Sequence, residues 1–143
     1  MIWKRQRAFD LGMLILRLGF GLGFTYFHGW GKITGGPEAW ARTGGAVENL
    51  GIGFGHTFFG FMAAFAEAIG GLMIAAGFLF PLASALIAAT MFVAWTRHVI
   101  TGQGTPAHAF KNFWVASGLF FIGPGRYSVD HWLATRRNRI EQA

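Results

Sequence analysis

The sequence predicts an all-α integral membrane protein: a four-helix bundle followed by a C-terminal amphipathic interfacial helix. Three observations lead there. Of the 143 residues, 53% are hydrophobic and only 13% are charged, about half the charged share of an ordinary globular chain. With a mean hydropathy of +0.42, there is too little polar surface to cover a water-soluble core. Four apolar runs of helical length alternate with connections rich in glycine and proline. The 22 glycines would weaken helices in water but suit helices in lipid, where small residues let backbones approach closely.

The whole chain, 1–143, reads as a single membrane domain. Its first span is predicted at residues 11–30, long enough at ~1.5 Å per residue to cross a ~30 Å hydrocarbon core. Gly19 and Gly23 form a small-xxx-small pair there, a groove for a neighbouring helix. The basic start followed by an apolar run reads as an uncleaved helix, because Arg17 interrupts it and no small-x-small cleavage site precedes Tyr26-Phe27-His28. Residues 31–56 form the one sizeable loop, broken by Gly35-Gly36-Pro37, by Gly44-Gly45 and by Gly51, Gly53 and Gly55. It either re-enters the bilayer or caps the bundle, with Trp40 and Phe54 as its anchors.

Spans 57–80 and 82–100, with Pro81 closing the first, form a tight hairpin. The fourth span, 108–123, is short and carries Lys111 and Asn112 near its start, so it begins in the interface or lies against protein. Beyond Gly123-Pro124-Gly125, Ser128 is placed to cap a helix over about 128–141, and Asp130 sits in its first turn. Val129, Trp132, Leu133, Arg136 and Ile140 share one face. Arg136, Arg137 and Arg139 are thereby predicted to meet lipid phosphates.

Four spans put both termini on one side. Lys4, Arg5, Arg7, Arg126, Arg136, Arg137 and Arg139 on that side outnumber Lys32, Arg42, Arg97 and Lys111 on the other, which favours cytoplasmic termini. Trp30, Trp40, Trp95 and Trp114 are expected at the outer interface, and Trp3, Tyr127 and Trp132 at the inner one. The net charge of +6 collects near the chain ends, so an anionic membrane surface is the expected partner and nucleic acid is not. The absence of cysteine excludes disulfides, iron–sulfur ligation and a thiol nucleophile on this chain. His28, His56, His98, His108 and His131 lack metal-ligand spacing, and no metal site is predicted.

Two charges stand inside apolar spans, where a lone ion costs at least a few kcal/mol. Arg17 lies about 9 Å below one membrane edge and Glu67 about 15 Å from the other. An interhelical ion pair between Arg17 and Glu67, or a short network containing both, is therefore predicted. It either fixes helix register or centres an outward-opening polar cavity that also includes Lys32, His98, His108, Lys111 and Asn112. Such a cavity could bind a quinone head group, relay protons or admit a small polar solute.

The ordered set Arg17-Leu18-Gly19, His28-Gly29-Trp30-Gly31-Lys32, Glu67 with Gly70-Gly71 and Gly77, Met91 with Ala94, and Gly123-Pro124-Gly125-Arg126-Tyr127-Ser128-Val129-Asp130 runs over nearly the whole chain. In it the sequence resembles the DoxX-like family of small four-helix bacterial membrane proteins. The resemblance implies a multi-pass inner-membrane protein, an auxiliary subunit beside a respiratory or sulfur-oxidising quinone enzyme. Its recurrent charged positions fall on Arg17, Lys32, Glu67, Arg126 and Asp130. The leading expectation is thus an accessory subunit of a quinone-linked redox complex, partnered by other membrane subunits or by its own copies and carrying no cofactor beyond a quinone. The alternative is a stand-alone membrane protein binding a small solute or quinone around Glu67. Neither expectation specifies a reaction.

Overall fold

The computed structural model describes residues 2–142, and the side chain of Trp3 lies outside the described residues. The described chain is helical throughout, joined by short turns. Three helical stretches are long and apolar enough to cross a membrane: Lys4–Ile33, His56–Ala76 and Phe80–Thr101.

The first stretch is one continuous rod made of α1 (Ile2–Gly23), a π-helical turn (Phe24–Gly29) and α2 (Trp30–Ile33). The seam with its antiparallel neighbour is made by small residues. A Cβ on Gly21 would strike the backbone of Gly71 and Ala75, and one on Gly29 would strike that of Ala68. Between them, the Thr25 hydroxyl donates to the Ala68 carbonyl at 2.9 Å. Gly21, Thr25 and Gly29 are spaced by four residues, a series that drifts about 40° per step around a straight α-helix. The wider π turn takes up that drift. The predicted Gly19 and Gly23 groove is not this seam, since a Cβ at either position meets nothing within 4 Å. Two residues of offset, about 200° of rotation, put those glycines on the far side.

Residues 31–56 are not a loop. They fold into α3 (Gly36–Gly44) and a 3-10 turn (Gly45–Leu50) that lie across α4 (His56–Ala76). Gly44 and Gly45, read from sequence as breakers, serve contact instead: a Cβ on Gly44 would fall on the His56 carbonyl, and one on Gly60 on the Trp40 carbonyl. Trp40 packs against Phe61 and donates its indole N–H to the Lys32 carbonyl at 2.8 Å. Phe54 stays exposed.

The second span ends at Ala76, short of the predicted residue 80. Gly77 takes φ +67°, and the bonds from Gly77 N to Ile74 O and from Phe78 N to Met73 O make a Schellman stop. Pro81 opens the next helix rather than closing this one. It sits in the first turn of α5 (Phe80–Thr101), where its missing N–H has no partner to lose. The expected tight hairpin therefore turns in three residues. The rod formed by α1 and α2 packs on one side of α4 and α5 on the other, with α6 (Pro106–Ile122) running back along α5. Ala109, Ala116 and Leu119 of α6 close a core shared with Met13, Phe24, Phe80 and Ile87. At 17 residues, α6 is about 26 Å long, a few Å short of a bilayer core. The last helix, α7 (Val129–Glu141), is capped by Ser128, whose hydroxyl accepts from His131 N at 3.2 Å.

Candidate functional site

The antiparallel register decides which charges meet. Arg17 lies beside Gly77, Gly21 beside Gly71 and Ala75, and Gly29 beside Ala68. Lys32 therefore arrives at Glu67. Its ammonium donates to both carboxylate oxygens, at 2.8 Å and 2.5 Å. The predicted Arg17 to Glu67 pair does not form. Both side chains are buried, each 1% exposed, but Arg17 faces α4 ten residues beyond Glu67, about 15 Å along the axis.

The Lys32–Glu67 pair forms part of the wall of a crevice of about 460 Å³ between α4 and α5, roofed by α3 and the 3-10 turn. Leu50, Phe59, Met62, Leu86 and Val93 supply apolar wall, and Lys32, Glu67, Thr90, Arg97 and His98 supply the polar groups. This size and composition suit a small-molecule site. The bond from Trp40 to the Lys32 carbonyl holds the roof, and Glu48 approaches the His56 ring at 3.2 Å beside it. The His98 ring is fixed by contact of its Nδ1 with the Gln103 carbonyl at 2.5 Å.

Of the predicted cavity residues, Lys32 and His98 do line the crevice beside Glu67, while His108, Lys111 and Asn112 do not. They belong to α6, which packs against α5 away from the roof. His108 instead meets His28, with ring centroids 4.8 Å apart, and contacts Asn112 at 3.0 Å. Lys111 is exposed. Arg136, Arg137 and Arg139 are exposed on α7, where Arg136 lies over the Trp132 ring and Arg137 pairs with Glu141. A hollow beside Leu133, Arg137 and Glu141 is an open groove on that single helix.

Arg17 belongs to a clasp at the other end. Its Nη2 donates to the Tyr127 carbonyl at 2.5 Å, in the space left by the missing side chain of Gly77, with the Asp130 charge in electrostatic range. Asp130 does more than favour its own helix dipole. Its two carboxylate oxygens accept from Leu79 N and Phe80 N, both at 2.9 Å, and so cap α5 from 50 residues away. Its own N–H donates to the Gly77 carbonyl at 2.9 Å. Asp10, which sequence reasoning missed, is buried and accepts from Arg126 N at 3.1 Å. The signal was there: a lone acid between Phe9 and Leu11 at the mouth of an apolar run.

Nothing among curated proteins and nothing among solved structures matches the chain. The DoxX family model matches residues 12–102, from within α1 to just past α5. The match takes in Arg17, Lys32, Glu67, Arg97 and His98, while α6, the clasp after it and α7 lie beyond it. It covers well over half of the chain, and the protein belongs to the DoxX family of membrane proteins.

Proposed function

We propose that this DoxX protein spans a bacterial inner membrane four times with both termini cytoplasmic, and that it holds the head group of a quinone-type ligand in the crevice between α4 and α5. The crevice carries this reading. It is mostly apolar, is lined by Lys32 and Glu67, and has donors on both walls: the ammonium of Lys32 and the guanidinium of Arg97. After bonding both oxygens of Glu67, Lys32 keeps one N–H for a ligand carbonyl. The short α6 is the fourth span, completed by thinning of the bilayer at its ends. The basic residues Lys4, Arg5 and Arg7 and the clasp share one end, since Asp10 binds Arg126, which supports cytoplasmic termini. α7 lies in that interface, its arginines toward lipid phosphates.

The test is binding of a short-chain benzoquinone to the protein in mild detergent, read by quenching of tryptophan fluorescence. Ala63→Phe, which fills the crevice, is expected to reduce affinity at least tenfold. Quinone binding that is absent from the wild type, or unchanged in Ala63→Phe, removes the reading.

A second reading, an accessory subunit of a respiratory or quinone-linked complex, is favoured by the outward face of the first helix. Gly12, Gly19 and Gly23 have no neighbour there, and such faces seat other helices in lipid. Purification in mild detergent separates the outcomes. A constant heteromeric partner supports the subunit, and a homo-oligomer alone refutes it.

A further inference from the structure

The charges lining the crevice do not balance. Lys32, Glu67 and Arg97 are the ionised groups on its walls. Lys32 and Glu67 neutralise each other. Among the described residues the carboxylates in close contact with a basic side chain are Glu67 with Lys32, Glu48 with the His56 ring and Glu141 with Arg137, so no carboxylate pairs with Arg97. Its guanidinium leaves the crevice with one net positive charge at the outer end of α5. Next to it the His98 ring is held in place by the Gln103 carbonyl and by Gly104, whose missing side chain makes room for the ring. From Arg97 the wall runs inward through Val93 and Ala89 to Leu86, about 16 Å of α5, and is apolar except for Thr90.

Arg97 is exposed at that end, where water solvates its charge, and its N–H groups have no carboxylate counter-ion among the described residues. An anionic oxygen supplies one, and guanidinium binds such groups through paired, charge-assisted hydrogen bonds. We infer that the crevice selects a single-tailed amphiphile with an anionic oxygen head group, seated on Arg97 beside His98, with its apolar tail along Val93, Ala89 and Leu86 towards Glu67. The inference rests on the crevice being a ligand site, as proposed above, and narrows what enters it. Two sources share this chemistry, an ionised hydroxyquinone and a fatty-acid carboxylate.

The experiment titrates the full-length protein in a non-ionic detergent with three probes: a neutral decyl-benzoquinone, an anionic alkyl-hydroxynaphthoquinone and tetradecanoate. The anionic probes are expected to bind at least tenfold more tightly than the neutral one. Arg97→Gln should weaken the anionic probes about tenfold and the neutral one less than twofold. Arg42→Gln, at the same end but outside the crevice, should change none. Circular dichroism and thermal melting establish that each variant is folded. Equal affinity for neutral and anionic probes overturns the inference while leaving the quinone reading in place. An anion preference that survives Arg97→Gln also overturns it, because the attraction is then a general surface effect. Binding of tetradecanoate but of neither quinone supports the inference and removes the quinone reading. Failure of all three probes removes both.

Discussion

The pairing of Lys32 with Glu67, rather than Arg17 with Glu67, makes a quantitative prediction about coupling. Lys32→Met leaves a carboxylate that is 2% exposed without the two hydrogen bonds Lys32 gives it. Removing one partner of a buried pair costs about 3–5 kcal/mol. The Lys32 side chain is 37% exposed, and water shares in solvating the pair, so the loss should be about 2–3 kcal/mol. Glu67→Leu is milder, about 1 kcal/mol, because the freed lysine can extend its ammonium to the membrane surface. The double variant replaces the pair by two apolar side chains and should be close to wild type, giving a coupling energy of about 3–4 kcal/mol. The same cycle for Arg17→Met and Glu67→Leu should be additive within about 0.5 kcal/mol, since those residues are about 15 Å apart along the seam. Reversible unfolding in mixed micelles, titrated with denaturing detergent, measures all five variants and the wild type. A coupling below about 0.5 kcal/mol between positions 32 and 67, or above it between 17 and 67, refutes the assigned register.

Asp130→Ala removes both acceptors from the start of α5 and the counter-charge of Arg17; melting should show a loss of about 2–3 kcal/mol, with Asp130→Asn losing about half as much. Gly60→Ala forces a methyl onto the Trp40 carbonyl and should destabilise by more than about 2 kcal/mol, while Gly19→Ala, which meets nothing within 4 Å, should stay within about 0.5 kcal/mol of wild type. Trp40→Phe keeps the ring and removes the bond to the Lys32 carbonyl; it should cost about 1 kcal/mol and speed maleimide labelling of a cysteine placed at Ala63 by loosening the roof.

The helices were legible because hydropathy alone marks where a chain can leave water, and three of the predicted spans overlap the stretches able to cross a membrane, the first of which begins at Lys4 rather than at residue 11. The second boundary slipped because a Schellman stop at Gly77 is set by backbone conformation, which the apolar Phe78-Leu79-Phe80 hides. Residues 31–56 misled for a related reason. Glycine at Gly44 reads as flexibility in sequence, yet here its value is the absence of a side chain where two backbones touch. The charges were found, but their partners were not. Counting residues from assumed membrane edges places Arg17 and Glu67 at facing depths, whereas the small-residue seam between Gly21 and Gly71 fixes the register and sends Arg17 to the clasp. Nothing local in the sequence announces that Asp130 will cap a helix 50 residues earlier.

Arg17 and Lys32, two of the cations of the first rod, are held in opposite ways, and the contrast bears on the proposed site. Arg17 is enclosed by a backbone carbonyl, the charge of Asp130 and a segment closed over it by Gly77 and Ser128. With 1% of its surface exposed, it makes its hydrogen bond to that carbonyl through Nη2 while Nε and Nη1 stay buried without a partner among the described residues, so its role is to hold the C-terminal segment against the bundle. Lys32 is bonded to a buried carboxylate on one side and remains more than a third exposed on the other. It therefore keeps an N–H free for another acceptor, in the crevice that Arg97 also lines. The π turn lies between these two cations. Straightening it into an α-helix would rotate Lys32 by about 100° away from α4, leaving the Arg17 clasp intact. The proposed binding site thus depends on the irregular part of the helix, which also gives Thr25 and Gly29 to the seam with α4, and the Arg17 clasp on the regular part.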